Sequence, residues 1–226
     1  MLPVIIWILM KVYRKSCQPK QKGSGRIKLP VRIMVIVFLL MFLLPAISRA
    51  QQRNLVYTIK RNGNKVGSMK ITEICEGGKT TYTLLSEVST GFILRFRAKA
   101  QEEAVYNNGI MSYSFVYQKI NGSEKINRLT RQVGSNYIIT DNGKEERFES
   151  SPIRYNMVRL YTHEPSNILQ IFSDKFQQNL KLQKTGIHQY KICFPDGNSN
   201  EYYYQDDVCT RIIINHTFYS AIIELN

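Results

Sequence analysis

The sequence contains few side chains whose types and spacing are typical of catalysis. Its three histidines, His163, His188 and His216, lie far apart along the chain, and this spacing does not by itself predict a metal site. His163 is followed by Glu164 in "YTHEP", and a histidine beside a carboxylate can perform acid–base chemistry. Because adjacent side chains seldom face each other, a capping or surface role is favoured for this pair.

Signatures of common catalytic and nucleotide-binding sites are missing from the sequence. There is no GxSxG nucleophile elbow and no SxxK set with its partner motifs. Phosphate-binding loops and dinucleotide fingerprints are also absent. The sequence therefore predicts a protein that is not an enzyme and that has no cofactor and no metal.

The first fifty residues have the three parts of an export signal. A segment with eight lysines and arginines and no acidic residue precedes an apolar run at residues 33–47. That run is shorter than the roughly 20 residues of a spanning helix and matches the core of a signal peptide. Ser48 and Ala50 place small residues at the −3 and −1 positions, so we expect cleavage after Ala50. A retained anchor at 33–47 is the alternative.

Cleavage changes the charge and the cysteine content of the protein. The leader holds nine of the 31 basic residues, which leaves 22 against 17 acidic ones and lowers the net charge from +14 to about +5. The high isoelectric point is therefore no evidence for a nucleic-acid partner. Cys75, Cys193 and Cys209 remain; they allow at most one disulfide, whose pairing is left open, and show no CxxC spacing.

Turn signals divide the mature chain at short intervals. Asn-Gly, Asp-Gly and related pairs tolerate the positive φ of tight hairpin turns, and between them lie segments rich in Tyr, Thr, Ile, Val and Phe. These segments predict an all-β antiparallel meander of ten or eleven strands in a single domain, residues 51–226. Only residues 151–176, which contain two prolines, break the pattern, and there we predict a short helix near residues 156–161 and a crossing loop.

Two segments alternate clearly between apolar and polar residues. In "FILRFRAKA" Phe96 and its even-numbered neighbours share one face, opposite Arg95, Arg97 and Lys99. In "IMSYSFVYQK" the odd-numbered Met111, Tyr113, Phe115 and Tyr117 share a face opposite Ser112, Ser114 and Gln118. A period of two predicts one buried and one solvated face in each strand.

The order of three segments resembles a known group of proteins. "VYTIKRNGNKVGSMKI", "SSPIRYNMVRLYTHEP" and "YKICFPDGNSNEYYYQDD" are similar to a family of uncharacterised exported proteins (a domain of unknown function) from Bacteroidetes. The resemblance implies a curled antiparallel sheet and an exported location, and it supplies no catalytic residues. Asp206 and Asp207 stand where the pattern has a glycine, so this turn is expected to differ in type.

Two surfaces are candidates for binding. A curled sheet of ten strands can enclose more space than its side chains fill. Aromatic residues that would line this space, unless they are ordinary core, are Tyr82, Phe96, Tyr113, Phe115, Tyr202 and Tyr204. The basic face of Arg95, Arg97 and Lys99, with Arg128 and Arg131 on a later strand, would meet an anionic lipid or glycan, or be solvated only.

These observations leave three functional hypotheses in order of preference. The first is an exported, non-catalytic protein of the periplasm or outer envelope that binds a lipid or other apolar ligand in an incomplete barrel. The second is a structural module that docks an envelope protein through a sheet edge. The third is a hydrolase that uses the His163 loop. Nucleic acid is not expected as a partner, and the oligomeric state is left open.

Overall fold

The computed structural model describes residues 50–91 and 96–226. The leader prediction for residues 1–50 therefore lies outside the described part of the chain, apart from Ala50. Residues 48–226 form one compact unit, and every described strand lies within it. A chain that begins at Gln51 thus contains every described strand. No helix of the described residues has both the length and the apolarity needed to cross a bilayer.

The prediction of an all-β antiparallel fold is confirmed. Eight strands precede one 3₁₀ helix, Met157–Tyr161, and six follow it. The first eight are β1 (Gln51–Arg61), β2 (Asn64–Glu76), β3 (Lys79–Thr90), β4 (Phe96–Asn107), β5 (Ile110–Ile120), β6 (Ser123–Val133), β7 (Asn136–Asp141) and β8 (Lys144–Phe148). The last six are β9 (Gln170–Ser173), β10 (Gln178–Gly186), β11 (Gln189–Cys193), β12 (Ser199–Gln205), β13 (Val208–His216) and β14 (Tyr219–Leu225).

All fourteen strands belong to one open antiparallel sheet. Its order is β8-β7-β6-β5-β4-β3-β2-β1-β14-β13-β12-β11-β10-β9. Strands that are consecutive in sequence are therefore neighbours in the sheet, except for β8 and β9, which lie at its two opposite edges. The chain closes on itself in the middle of the sheet, where β1 pairs with β14. The apolar C-terminal strands β13 and β14 therefore lie in the middle of the sheet.

Asparagine and aspartate set several of the hairpin turns. Asn62, Asn108, Asn121 and Asn142 adopt positive φ values near +49°, and each is followed by a glycine. The turn at Asp206 and Asp207 reaches the same region without glycine, with φ values of 50° and 65°. Asn and Asp tolerate this region better than other L-residues, and these turns match the right-handed twist of the strands.

The predicted strand count was too low because two turns lack Asn-Gly or Asp-Gly pairs. The β9–β10 turn follows Ser173 and uses Gln177 at φ 55°, while the β10–β11 turn uses His188 at φ 56°. Neither turn contains an Asn-Gly or Asp-Gly pair, so the sequence pattern does not predict the boundaries between β9, β10 and β11.

The crossing segment, residues 149–169, connects the two edge strands through the inner face of the sheet. Its backbone is bound to both sides: Met111 N donates to Ile153 O at 2.8 Å, and Phe172 N donates to Tyr155 O at 3.0 Å. Phe148 of β8 also contacts Phe172 of β9, with ring centroids 5.5 Å apart. The segment thus bridges the gap that the open sheet leaves. The predicted helix within it is confirmed as the 3₁₀ turn.

Buried tyrosines tie the crossing segment to the sheet. Tyr57 Oη donates to Tyr161 O at 3.3 Å, and Tyr204 Oη donates to Leu160 O at 2.8 Å. Their rings pack with Val158, Ile171 and Phe172 in one continuous core. A buried phenol must satisfy its hydroxyl, and the irregular carbonyls of the crossing segment provide the acceptors.

The three described cysteines are all free. Cys75 is half-buried, Cys193 is exposed and Cys209 is buried, and they lie on β2, β11 and β13. Burial raises the pKa of the Cys209 thiol to about 12, so this residue is an unreactive part of the core.

Candidate functional site

The inner face of the curled sheet is packed differently at its two ends. We call the end that carries the turns at 77–78, 108–109 and 206–207 the crossing end, because residues 149–169 lie there. The opposite end, with the turns at 62–63, 121–122 and 217–218, is called the far end. Alternating strand directions place successive turns at opposite ends, so this division follows from the meander itself.

The inner face is densely packed toward the crossing end. Tyr82, Tyr106 and Ile71 have exposed fractions of 2% or less, and Leu160 and Val158 of the crossing segment cover them. Tyr82 and Tyr106 meet edge to face with centroids 5.7 Å apart. This half of the interior is a conventional core.

Toward the far end the inner face is lined by small side chains that stay half-buried. Ser86 lies opposite Ala100, and Val88 lies opposite Ala98, on strands β3 and β4. All four are half-buried, although they point to the same side of the sheet as the buried core. Gly67 continues this surface on β2, where it lies opposite Val88. The small side chains leave a concave surface that the crossing segment does not cover.

A carboxyl group stands where the packed half meets the uncovered half. Glu102 lies on the inner face of β4, opposite Leu84 and Val116. Burial, and then the charge of Asp174, raises the pKa of Glu102 to about 7. Its side chain nevertheless stays partly accessible, and no other described residue forms a hydrogen bond or ion pair with it. A deep carboxyl without a protein partner is a natural contact point for a bound polar group.

Asp174, in contrast, is fully engaged by the protein. It is 5% exposed, accepts a very short hydrogen bond from Ser114 Oγ and accepts another from Asn156 Nδ2 at 3.0 Å. Tyr106 Oη completes the chain by donating to Asn156 Oδ1 at 2.9 Å. Burial raises the pKa of Asp174 to about 6 even though the two hydrogen bonds favour its charged form. This group fastens the crossing segment and β5 to the β9–β10 turn.

The structure separates the six predicted lining residues into three groups. Tyr82, Tyr202 and Tyr204 are buried in the packed core. Phe96 is 38% exposed at the far end of β4, on the same side as Ala98 and Ala100. Tyr113 and Phe115 lie on the outer face, which contradicts the predicted shared face with Met111.

A β-bulge explains this difference. The pairing of β4 with β5 shifts by one residue between Val105 and Tyr106, so that Tyr113 lies opposite Val105 while Met111 lies opposite Tyr106. A one-residue shift reverses the faces of all following side chains. Ser114 and Val116 therefore point inward.

The displaced aromatic residues form an outer groove with β6 and β7. Tyr113, Phe115, Leu129 and Thr140 line a cavity of about 520 Å³. Phe115 also packs against Tyr117, with nearly parallel rings and centroids 6.4 Å apart. This groove is a second concave surface with aromatic walls, separate from the inner face.

The predicted basic face is smaller than expected. Arg97 and Lys99 are exposed on the outer face of β4, but Lys99 is neutralised by Glu87 at 2.5 Å. Arg128 points to the other face and binds Asp141 at 2.9 Å, because it follows the inward register of Val116. Arg95 lies outside the described residues.

At the crossing end, the structure brings together side chains that are distant in sequence. Glu73 Oε1 lies 2.8 Å from His163 Nε2, and Asp207 Oδ2 lies 3.0 Å from His163 Nδ1. Glu164 turns away from His163 and binds His188 at 2.8 Å and Tyr190 at 2.7 Å. The side chains of His163 and Glu164 thus do not contact each other, in agreement with the expectation from their adjacent positions in the sequence.

The two carboxylates favour the charged form of the imidazole. The hydrogen bond to Glu73 raises the pKa of His163 despite partial burial, and Asp207 raises it further. Burial alone would raise the pKa of Glu73, but the hydrogen bond and charge of His163 lower it overall. With both ring nitrogens bonded to carboxylates, His163 has no free nitrogen for a substrate. The arrangement fastens the crossing segment to β2 and to the β12–β13 turn.

An open groove of about 500 Å³ lies next to this histidine. Its walls include Tyr155, Arg159, Glu164 and Asp207. Among residues 50–91 and 96–226, no group of three or more His, Cys, Asp or Glu side chains is arranged to hold a metal ion.

The chain matches one family model, and it shows a distant likeness to a solved structure. Residues 57–226, or 170 of the 226 residues, match a family model described as "Domain of unknown function (DUF6134)". The chain is similar to the solved structure of a beta-barrel-like protein of domain of unknown function DUF1849 from Brucella abortus. That likeness has 10% identity and a TM-score of 0.45, and it covers 79% of this chain and 97% of the other. No curated protein matches the chain.

Proposed function

Since the chain belongs to the family described as "Domain of unknown function (DUF6134)", we propose from its geometry that it is an exported, non-catalytic binding protein. Its ligand is a hydrophobic or amphipathic molecule, such as a lipid, that enters the uncovered half of the inner face from the far end. The single observation that carries this proposal is the contrast between the two halves of one concave surface.

That contrast is a matter of side-chain size and cover. At the crossing end the inner face is filled by tyrosines and by residues 149–169. At the far end the small side chains of Ser86, Ala98 and Ala100 fill little space above the sheet, and they stay half-buried rather than buried. An apolar chain placed there would replace water on an otherwise half-exposed apolar wall, and each buried methylene contributes about 0.8 kcal/mol.

Glu102 makes an amphipathic ligand the better match. An apolar chain alone would cover this carboxyl without giving it a partner, which is unfavourable. A hydroxyl or ammonium group on the ligand would bind it directly.

Export is part of the proposal. The basic segment, the apolar run at 33–47 and the small residues before Gln51 support transport to the periplasm or outer envelope. The N-terminal sequence of the protein recovered from cell fractions tests this directly: a terminus at Gln51 in a soluble fraction supports it, and an intact leader in membranes supports the anchored alternative.

Ligand binding is tested by filling the concave wall. We expect residues 51–226 to bind a fluorescent fatty-acid analogue and Ala100→Trp to weaken this binding at least tenfold, because the indole occupies the uncovered space. Gln101→Trp is the matched control, since Gln101 is the next residue on the same strand and is exposed on the opposite face.

Melting temperatures of both variants show whether the sheet remains folded. If Ala100→Trp and Gln101→Trp bound the analogue equally well, the inner face would be excluded as the binding site. The proposal would be refuted if the unmodified domain did not bind the analogue and its native mass spectrum showed no co-purifying ligand.

A structural or protein-interaction module of the envelope is the second candidate, supported by the outer groove at Tyr113 and Phe115. Docking through a sheet edge receives less support. The edge strand β8 reads "KEERF", and charged residues on an edge discourage strand addition. The other edge, β9, has four residues, three of them buried. A stable protein partner that is displaced by Phe115→Ala would favour this candidate over ligand binding.

A further inference from the structure

Several turns at the far end are joined by contacts between their residues. The Arg61 guanidinium lies 5.3 Å from the centroid of the Tyr219 ring, which links the β1–β2 turn to the β13–β14 turn. Thr217 N donates to Asn198 Oδ1 at 2.9 Å, which links the latter to the β11–β12 turn. We call this surface the far-end rim.

The rim continues on either side of these turns. Lys175 Nζ lies 3.6 Å from Asp196 Oδ2, which joins the β9–β10 and β11–β12 turns. On the other side, two hydrogen bonds of 2.8 Å join Arg97 and Asn121: Asn121 N donates to Arg97 O, and Arg97 N donates to the side-chain Oδ1 of Asn121. The ends of β4 and β5 are thereby held together.

The far-end rim carries a strong positive charge. Six exposed basic residues lie at it, and none has an acidic partner within ion-pair distance in the described residues: Arg61, Lys65, Arg97, Lys119, Lys125 and Lys144. Most rim acids are already paired, Asp141 with Arg128, Glu145 with Arg131 and Asp196 with Lys175. Glu124 and Glu146 are exposed acids without an ion-pair partner in the described residues.

The crossing end lacks this excess. Its hairpin turns carry Glu76, Lys79, Asp206 and Asp207, which sum to a negative charge. Since the mature chain has a net charge of only about +5, the positive charge of the domain is concentrated at one end. Such a dipolar distribution orients a protein toward an anionic surface.

An aromatic side chain projects from the same surface. Phe218 is 84% exposed at the tip of the β13–β14 turn. It is flanked by His216, whose ring also stacks on Tyr219 with centroids 4.5 Å apart. An exposed aromatic ring among basic residues is the combination that inserts at the headgroup level of a membrane, where ring and charge are both satisfied.

We infer that the far-end rim docks onto an anionic lipid bilayer, with Phe218 inserted at the headgroup level and the six basic side chains facing the lipid phosphates. In this orientation the uncovered half of the inner face opens toward the membrane. The inference stands on the turns alone and does not require that the inner face binds a ligand.

Other anionic partners fit the rim less well. A nucleic acid would be held by the same charges, but Phe218 would remain exposed unless a base stacked on it. The bilayer is favoured because it takes both the charge and the apolar side chain. Each basic residue near such a surface contributes roughly a fivefold increase in binding.

Cosedimentation of residues 51–226 with vesicles tests this inference. We expect binding to vesicles with about one third phosphatidylglycerol, little binding to pure phosphatidylcholine, and release in high salt because the attraction is screened. Arg61→Glu with Lys65→Glu is expected to reduce binding at least about twentyfold. Phe218→Ser is expected to reduce it about tenfold.

Variants at other places serve as matched controls. Lys70→Glu with Lys79→Glu makes the same change in net charge on the outer face and at the crossing end, and Ile187→Ser removes an equally exposed apolar side chain there. We expect both to change binding less than threefold. Equal losses from the two double variants, undiminished binding by the rim variants, or no preference for anionic vesicles would overturn the inference. Ala100→Trp should leave vesicle binding unchanged, so failure of ligand binding and failure of docking are separable.

Discussion

Replacing His163 by glutamine should destabilise the domain by an amount that depends on pH. The imidazole joins Glu73, whose side chain is 5% exposed, to Asp207, whose side chain is 57% exposed. Glutamine keeps a hydrogen-bonding group of similar length but cannot carry the positive charge. The change therefore isolates the contribution of the charged pair with Glu73.

The magnitude follows from the burial of the partners. Removing one member of a buried ion pair costs about 3–5 kcal/mol, because the other charge is left without compensation. Arg53, 3.8 Å from Glu73, retains part of the compensation, and the exposed Asp207 contributes little. We therefore expect a loss of about 2–3 kcal/mol near pH 5.5. For a domain of this size, this lowers Tm by about 4–12 °C.

The pH dependence has a defined direction. The pKa of His163 is raised above 6.5 in the folded state, so its contribution is complete below pH 6.5 and is lost as the pH rises through the folded value. The pKa of Glu73 is lowered below 4.5, so its contribution is present above pH 4.5 and is lost as the pH falls through the folded value. The pair stabilises the fold most between about pH 4.5 and 6.5.

Thermal unfolding of the wild type and His163→Gln from pH 5 to pH 9 measures this effect. The Tm difference should be largest near pH 5.5 and should shrink at pH 9 to that of a neutral hydrogen bond, about 1 kcal/mol or 2–4 °C. His188→Gln is the control, since His188 also contacts a carboxylate but its side chain is 61% exposed. A Tm difference that stays constant across this range would refute the charged clamp.

Two further substitutions test the interior of the sheet. Glu102→Gln should raise Tm by a few degrees at pH 8.5 and leave it unchanged at pH 4, because the raised pKa of about 7 makes the ionised carboxylate unfavourable in the fold; an equal effect at both pH values would contradict this. Gly67→Ala should destabilise the domain by about 2–4 kcal/mol in denaturant unfolding, because a Cβ there would lie 2.2 Å from Glu87 O. Ser68→Ala, exposed on the next position of β2, should be close to neutral, and similar losses in both variants would show that strand packing at Gly67 is not the cause.

The local features of the fold were readable in the sequence because they depend on neighbouring residues. Asn-Gly pairs at 62–63, 108–109, 121–122 and 142–143 marked turns that the structure contains, since positive φ is tolerated by few residue types. The break at the crossing segment was visible because prolines and a lost alternation cannot belong to a regular strand. Gln177 and His188, by contrast, adopt positive φ where nothing in their type announces it.

The position of Tyr113 and Phe115 was not readable. Period-two alternation assigns side chains to the correct face of a strand only where the pairing register is continuous. The bulge between Val105 and Tyr106 reverses the assignment, and it arises from the pairing of two strands rather than from either alone. Ser114 is drawn inward by Asp174, sixty residues away.

Residue types and short spacings are enough to predict the all-β class, most of the turns, the single irregular crossing and the mild net charge of residues 51–226. Which faces are inner and which residues meet depends on the tertiary structure. The contact of His163 with Glu73 joins positions ninety residues apart, and the far-end rim gathers six basic residues that flank four different turns. Such groupings depend on strand register and on the curl of the sheet, which are set by the packing of the whole domain.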